Sequence, residues 1–206
     1  MRRANAQLQS DRRTEILDAA ERCFARSGFH GASMQEICTE AGMSPGNLYR
    51  YFRSKEDLIA GISERNRADA VASFSAVGEA ENFFDALAAL GRHHLVDRSE
   101  DDVALCAEIM TESRRNPTIA QLNQDIERDI KARMAEMLRL AIERGEIRAD
   151  LDIDAAASLL MMLGDGMSWR RAVAPDFDAE RVLPMILKMV HCLLTKSDAE
   201  PAENVP

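Results

Sequence analysis

The chain has 206 residues, 46% apolar and 30% charged, with a formal net charge of −9. This is the profile of a soluble globular protein, and no apolar run approaches the ~20 residues that a bilayer-spanning helix needs. The basic start, "MRRANAQLQSDRR", is not followed by an apolar segment, so it does not read as a secretory signal. The four cysteines (Cys23, Cys38, Cys106 and Cys192) are scattered, with no CxxC spacing and no Cys/His cluster. The pattern calls for no metal and no cofactor, and free thiols of this kind fit a reducing cytoplasm. Cys106 lies outside both the small N-terminal unit and the last helix, and its role stays open.

The negative total conceals an asymmetry. Residues 1–55 hold nine Lys/Arg against six Asp/Glu, whereas the remainder holds 17 against 29. The expected arrangement is a small basic unit attached to a larger acidic body.

The chain reads as helix almost throughout, about nine helices in all, with no period-two alternation. After a basic arm (1–10), a first helix spans about Asp11 to Ser27, with Ile16, Leu17, Ala20, Cys23 and Phe24 on one face. Ser10 is its expected N-cap and Gly28 its stop. "SMQE" (Ser33–Glu36) fits a capping box for a short second helix that Gly42 ends. Ser44 caps a third helix, about Pro45 to Tyr51, with proline at the first position, where a missing N–H costs nothing. "SKED" (Ser54–Asp57) opens a fourth helix that reaches about Ser73.

Further helical segments follow near Asn82–Asp97 and Asp101–Arg115, then from Pro117 to near Gly145, and from about Ile153 to Arg171. A last helix runs from about Ala179 to Thr195, with Pro184 predicting a late start or a kink. Residues 197–206 have no core-forming side chains and read as a disordered tail. The domains are therefore expected at 11–58, with a helix-turn-helix at about 33–52, and at 59–196.

The third helix carries the pattern that points to function. Leu48 and Phe52 are four residues apart and anchor it inward. Pro45, Gly46, Asn47, Tyr49, Arg50 and Tyr51 are then mostly outward. Gly46 lets a surface approach the backbone. Asn47 suits adenine or phosphate, and Arg50 suits guanine or phosphate. Tyrosine hydroxyls donate to phosphates, and Lys55 adds charge near a helix N-terminus. A simpler reading has the tyrosines capping a small core. The helix-turn-helix spacing favours DNA.

At "ILDAAERCFARSGFHGASMQEICTEAGMSPGNLYRYFRSKEDLI" the chain resembles the TetR family of bacterial transcriptional regulators, through the spaced pattern AGxSxGxLYxYFxSKExL. The resemblance covers about a quarter of the chain. It implies that Pro45, Gly46, Asn47 and Tyr49, with Arg50 beside them, face bases. It implies that Ser33, Ser44, Tyr51 and Lys55 face phosphates, and that Gln35 occupies a position that reaches a base in some relatives. Pro45 departs from the polar residue common at its position. Arg2, Arg3, Arg12 and Arg13 add backbone charge or a minor-groove arm; for Arg2 and Arg3 a solubilising tail is an equal reading.

The resemblance further implies an all-α protein with a ligand-binding and dimerisation body. It implies double-stranded operator DNA, a second copy of the chain and a small effector as partners. Val182, Met185, Ile186, Met189 and Leu193 form the expected dimer stripe, continued by Val190. The expected pocket lining is Phe74, Phe84, His94, Met110, Met162, Asp165 and Trp169, although methionines such as Met110 and Met162 are also ordinary core filler. Asp165, in an apolar helix, is either an interface hydrogen bonder or a ligand handle. Two alternatives stand beside the ligand-responsive repressor. One is a DNA-binding regulator without a ligand. The other is an enzyme with its cavity in the body, for which no nucleophile elbow, P-loop, metal cluster or dinucleotide fingerprint is present.

Overall fold

A computed structural model describes residues 2–195, with side chains described for all of these except 2–9, 71 and 75–79. Every regular element among the described residues is an α-helix. They are α1 (Arg2–Gly31), α2 (Met34–Glu40), α3 (Pro45–Tyr51), α4 (Lys55–Glu79), α5 (Phe83–Leu95), α6 (Glu100–Glu112), α7 (Pro117–Glu143), α8 (Ile153–Val173) and α9 (Ala179–Leu194). The all-α expectation holds. The predicted tail at 197–206 lies outside the described residues.

Local chemistry explains most boundaries, with three corrections. Ser10 is not a cap: α1 passes through it, and the Thr14 hydroxyl donates to its carbonyl. Gly28 interrupts that helix at φ 68, ψ 169, a conformation open to glycine, and Phe29–Gly31 form a last turn beyond it. Glu36 closes only half of the expected capping box: its amide donates to the Ser33 hydroxyl, but its carboxylate turns to Arg26. Finally, α9 starts at Ala179 and continues through Pro184, so the late start does not occur.

The chain divides into two compact units, Met1–Ala70 with Arg98–Arg128 and Val71–Asp97 with Asp129–Pro206. The division differs from the expected boundary at residue 58. Helices α4 and α7 each pass from one unit to the other. The reason lies in the first core. Ile16, Phe24, Ile37, Leu48 and Phe52 are joined there by Leu105 of α6 and Ile119 of α7. A domain of about 60 residues buries too small a fraction of its surface to be more than marginal alone, and α6 and α7 add cover.

The second unit has its own core. Phe83, Leu87 and Leu90 of α5 meet Leu138 of α7, Ala157 of α8, and Val190 and Leu194 of α9. Arg92 forms a two-point ion pair with Glu180 (3.0 and 2.7 Å), tying α5 to α9. The Arg148 amide donates to the Leu194 carbonyl at 2.8 Å and fixes the end of α9.

Candidate nucleic-acid interface

The residues singled out around α3 fall into two groups. Leu48 (0% exposed) and Phe52 (1%) are buried, as their spacing requires. Pro45, Gly46, Tyr49 and Arg50 are exposed, with Tyr49 at 50%. Asn47 is half-buried at the edge of the same surface. Tyr51 departs from the outward group: it is half-buried and packs against the first core. Of the aromatic pair, only Tyr49 is fully presented.

Ser44 occupies the N-cap position with extended backbone (φ −77, ψ 150), but its hydroxyl makes no cap hydrogen bond. Its carbonyl accepts from the amides of Asn47 and Leu48. The helix is therefore held by Leu48 and Phe52, while the Ser44 hydroxyl is left for an outside acceptor or donor. A Cβ added at Gly46 would meet nothing within 4 Å, so this position is open to an approaching surface. Gly42, at φ 62, makes the turn between α2 and α3.

The orientation of α2 is set by ion pairs to α1. Arg22 reaches Glu40 at 2.8 Å, and Arg26 bridges Glu36 (3.1 Å) and Glu40 (3.5 Å). The hydrogen bond from Arg22 holds the Glu40 carboxyl below its ordinary range. Gln35 and Ser33 are exposed on the outer side of α2.

The Lys55 side chain is engaged within the chain. Its ammonium turns into the protein and donates to the carbonyls of Phe29 (2.5 Å) and Ala32 (2.9 Å), with the Phe29 ring 4.5 Å away. The start of α4 is also occupied by its own caps. The Ser54 hydroxyl accepts from the Asp57 amide, and the Asp57 carboxylate accepts from the Arg53 amide. Of the N-terminal arginines, Arg12 pairs with Glu15, and Arg13 stacks over the Phe52 ring at 4.4 Å.

In the body, three expected pocket residues lie elsewhere. Met162 (61% exposed), Asp165 and Trp169 (44%) form part of an exposed strip on α8, which Gly166 and Val173 continue. Asp165 is thus not a buried carboxylate. Met110 belongs to the first unit, whereas Phe74 and Phe84 pack on the second core, and the Phe84 ring lies 4.3 Å from His191. His94 is half-buried against its exposed neighbour His93. The α9 stripe also divides. Met185 (72% exposed), Met189 and Leu193 face outward, while Ile186 and Val190 face the core and Val182 is half-buried.

The sequence pattern missed Glu108 and Glu112 of α6, which meet the turn after Gly28. Glu108 accepts from the Phe29 amide at 3.0 Å, and Glu112 lies 2.9 Å from the His30 ring nitrogen. No spacing rule connects residues this far apart in sequence. Gly61 was also missed. An added Cβ there would lie 2.9 Å from Leu17 and 3.0 Å from Phe52, so α4 and α1 cross closely. A glycine inside a helix was the available signal.

A short helix presented through a Gly-containing turn, on a core that buries its inner side, defines a helix-turn-helix protein. Residues 16–62 match the model for bacterial regulatory proteins of the tetR family, and residues 85–195 match the C-terminal domain of BetI-type transcriptional repressors. The chain belongs to the TetR family and is a transcriptional regulator. It is 36% identical to the HTH-type transcriptional regulator UidR of Escherichia coli over 168 residues, 82% of each chain. It is 30% identical to the transcriptional repressor AcnR of Corynebacterium diphtheriae, over 91% of this chain and 95% of that one. It is also similar to the solved structure of SmeT in complex with triclosan (TM-score 0.80, 25% identity, 95% of this chain and 97% of that one). SmeT is the repressor of a multidrug efflux pump in Stenotrophomonas maltophilia.

Proposed function

We propose that this regulator is a repressor rather than an enzyme. In this reading it binds a palindromic operator as a dimer and leaves it when a small apolar or aromatic effector binds. The observation that carries the DNA side is α3 itself. Tyr49, Arg50, Gly46 and Asn47 form one outward surface over two fully buried anchors. Bases are read by Asn47 and Arg50, whose side chains match adenine and guanine edges. Phosphates are met by the Tyr49 hydroxyl and the Ser44 and Ser33 hydroxyls, while Gln35 supplements base contact from α2.

The dimer is supported by the outward strips on α8 and α9. Exposed Met162, Trp169, Val173, Met185, Met189 and Leu193 are large apolar side chains on one unit. Large apolar side chains exposed together on two helices fit an interaction site, and a two-fold pair of helices makes a four-helix bundle. Two copies then present two α3 helices to two half-sites.

The effector reading is supported by SmeT, whose solved structure is a complex with triclosan. Phe74, Phe84 and His94 remain the candidates for contacting it. Release follows if the effector favours the conformation with lower affinity for DNA.

Mobility shifts on the DNA upstream of the chain's own gene test the assignment. The Asn47→Ala/Tyr49→Ala double variant is expected to bind about a hundredfold more weakly, since a good base contact contributes roughly 1–3 kcal/mol and the phosphate contact of the tyrosine hydroxyl is lost with it. Its melting temperature should match that of the parent chain. Unaltered DNA binding by this variant would overturn the site assignment.

A further inference from the structure

The backbone of Phe29 is held on both sides of its Cα by charged groups. Its N–H donates to the Glu108 carboxylate of α6 at 3.0 Å, and its carbonyl accepts from the Lys55 ammonium of α4. The same ammonium also binds the carbonyl of Ala32. Ser33, the N-cap of α2, is the next residue. Phe29 (5% exposed) and Ala32 (2%) are buried and the two charged partners are half-buried, so these bonds are partly shielded from water. Charge-assisted hydrogen bonds are stronger than neutral ones, more so where water is excluded.

The backbone here needs holding. Gly28 breaks α1 at φ 68, and a Cβ at that position would approach the Glu108 carboxylate to 3.1 Å. The chain then has only a short turn before α2 begins at Met34. A second carboxylate of α6, Glu112, is buried and lies 2.9 Å from the ring of His30. Helices α4 and α6 therefore converge on one turn and fix where α2 starts.

We infer that Lys55 and Glu108 are positioning residues for DNA reading. They act through the Phe29 backbone and the entry to α2, and Lys55 does not contact phosphate. The inference rests on the DNA-binding reading above. It assigns to Lys55 a role opposite to the one that its cationic side chain and its place at a helix start suggest.

Salt dependence separates the two roles. A lysine that neutralises a phosphate releases counterion, so its removal lowers the slope of log affinity against log salt by about one. A positioning lysine weakens binding without that loss. The probe is a duplex selected from a random library by the full wild-type chain. Lys55→Met should reduce affinity for it about tenfold with the salt slope unchanged; a slope lower by about one overturns the inference.

Glu108→Gln tests the other side of the Phe29 backbone in a variant that keeps the shape of the side chain. Removing a negative charge should by itself strengthen binding to DNA. The inference requires the opposite, a loss of about fivefold at an unchanged salt slope, the effect of weakening one charge-assisted hydrogen bond. Wild-type or tighter binding by Glu108→Gln overturns it, and this arm stands even if Lys55→Met fails to fold. In the double variant the losses should be less than additive, because both side chains hold the backbone of one residue; strict additivity counts against a shared route. If the wild-type chain selects no duplex, the DNA-binding reading fails, and this inference with it.

Discussion

Among the described residues, large apolar and aromatic side chains are exposed in two places, and the two differ in chemistry. On α3 the exposed aromatic is Tyr49, a ring with a hydroxyl tip, set beside Asn47, Gly46 and Arg50. On α8 and α9 the exposed groups are Met162, Val173, Met185, Met189 and Leu193, none of which can donate a hydrogen bond, and Trp169. The first surface offers directional donors and acceptors on a basic segment, which suits a hydrated polyanion. The second offers area and shape, which suits another apolar face. Exposure alone does not say what a surface meets; the polar atoms at its tips do.

The anchoring of α3 is the place where this contrast breaks most severely. Leu48→Ala should cost about 2–5 kcal/mol, the range for emptying a buried leucine site, measured by urea or thermal unfolding. DNA binding should fall with it, because α3 has no other fully buried side chain within its span. The body gives the opposite result. Met185→Glu/Met189→Glu places two charges on side chains that are already exposed. The double variant is expected to raise the dimer dissociation constant more than tenfold in sedimentation equilibrium, while each chain keeps its helical content. A dimer of undiminished strength would remove this face from the interface.

Gly61→Ala probes the seat beneath α3 rather than its surface. The added methyl would fall 2.9 Å from Leu17 and 3.0 Å from Phe52, so α1 or α4 must shift. A loss of roughly 1–3 kcal/mol is expected from overpacking, read as a lowered melting temperature. Gly166→Ala on the exposed strip meets no atom within 4 Å in the chain and should leave the monomer fold unchanged.

The smallest effect concerns pH. Burial pushes the Glu21 carboxyl above its ordinary value of 4.5, against the opposing pull of Arg65. A carboxyl raised in the folded state binds its proton more tightly there than in the unfolded chain. Ionisation therefore costs stability above the folded pKa, and the cost disappears as pH falls below 4.5. Relative to Glu21→Gln, the parent chain should lose stability as pH rises from acid to neutral, a trend visible in melting temperatures of the two proteins.

How much of this was legible in sequence depends on the kind of information each feature uses. The inward pair Leu48 and Phe52 follows from a four-residue spacing, so the division of α3 could be read directly. The helices themselves follow from periodicity and caps. Lys55 could not be read in the same way. Its neighbours in sequence place it at a helix start, but its direction is decided by the Phe29 and Ala32 carbonyls, more than 20 residues earlier. The exposure of Trp169, Met162 and Asp165 could not be read for another reason. A helix apolar on nearly every side carries no signal about which side its own chain covers, and burial was assumed where exposure occurs. The completion of the first core by Leu105 and Ile119 is likewise a long-range fact with no local trace.

The open space around Gly46 has an evolutionary consequence. Side chains added there meet no part of the chain, and Tyr49 and Arg50 are similarly unconstrained by the core. Descendants of this gene are free to drift at these positions without losing a folded product. In the proposed reading, selection on them comes from outside the molecule, through the DNA that α3 meets. Duplication followed by a few changes on α3 would give a daughter regulator with a new address and an inherited body.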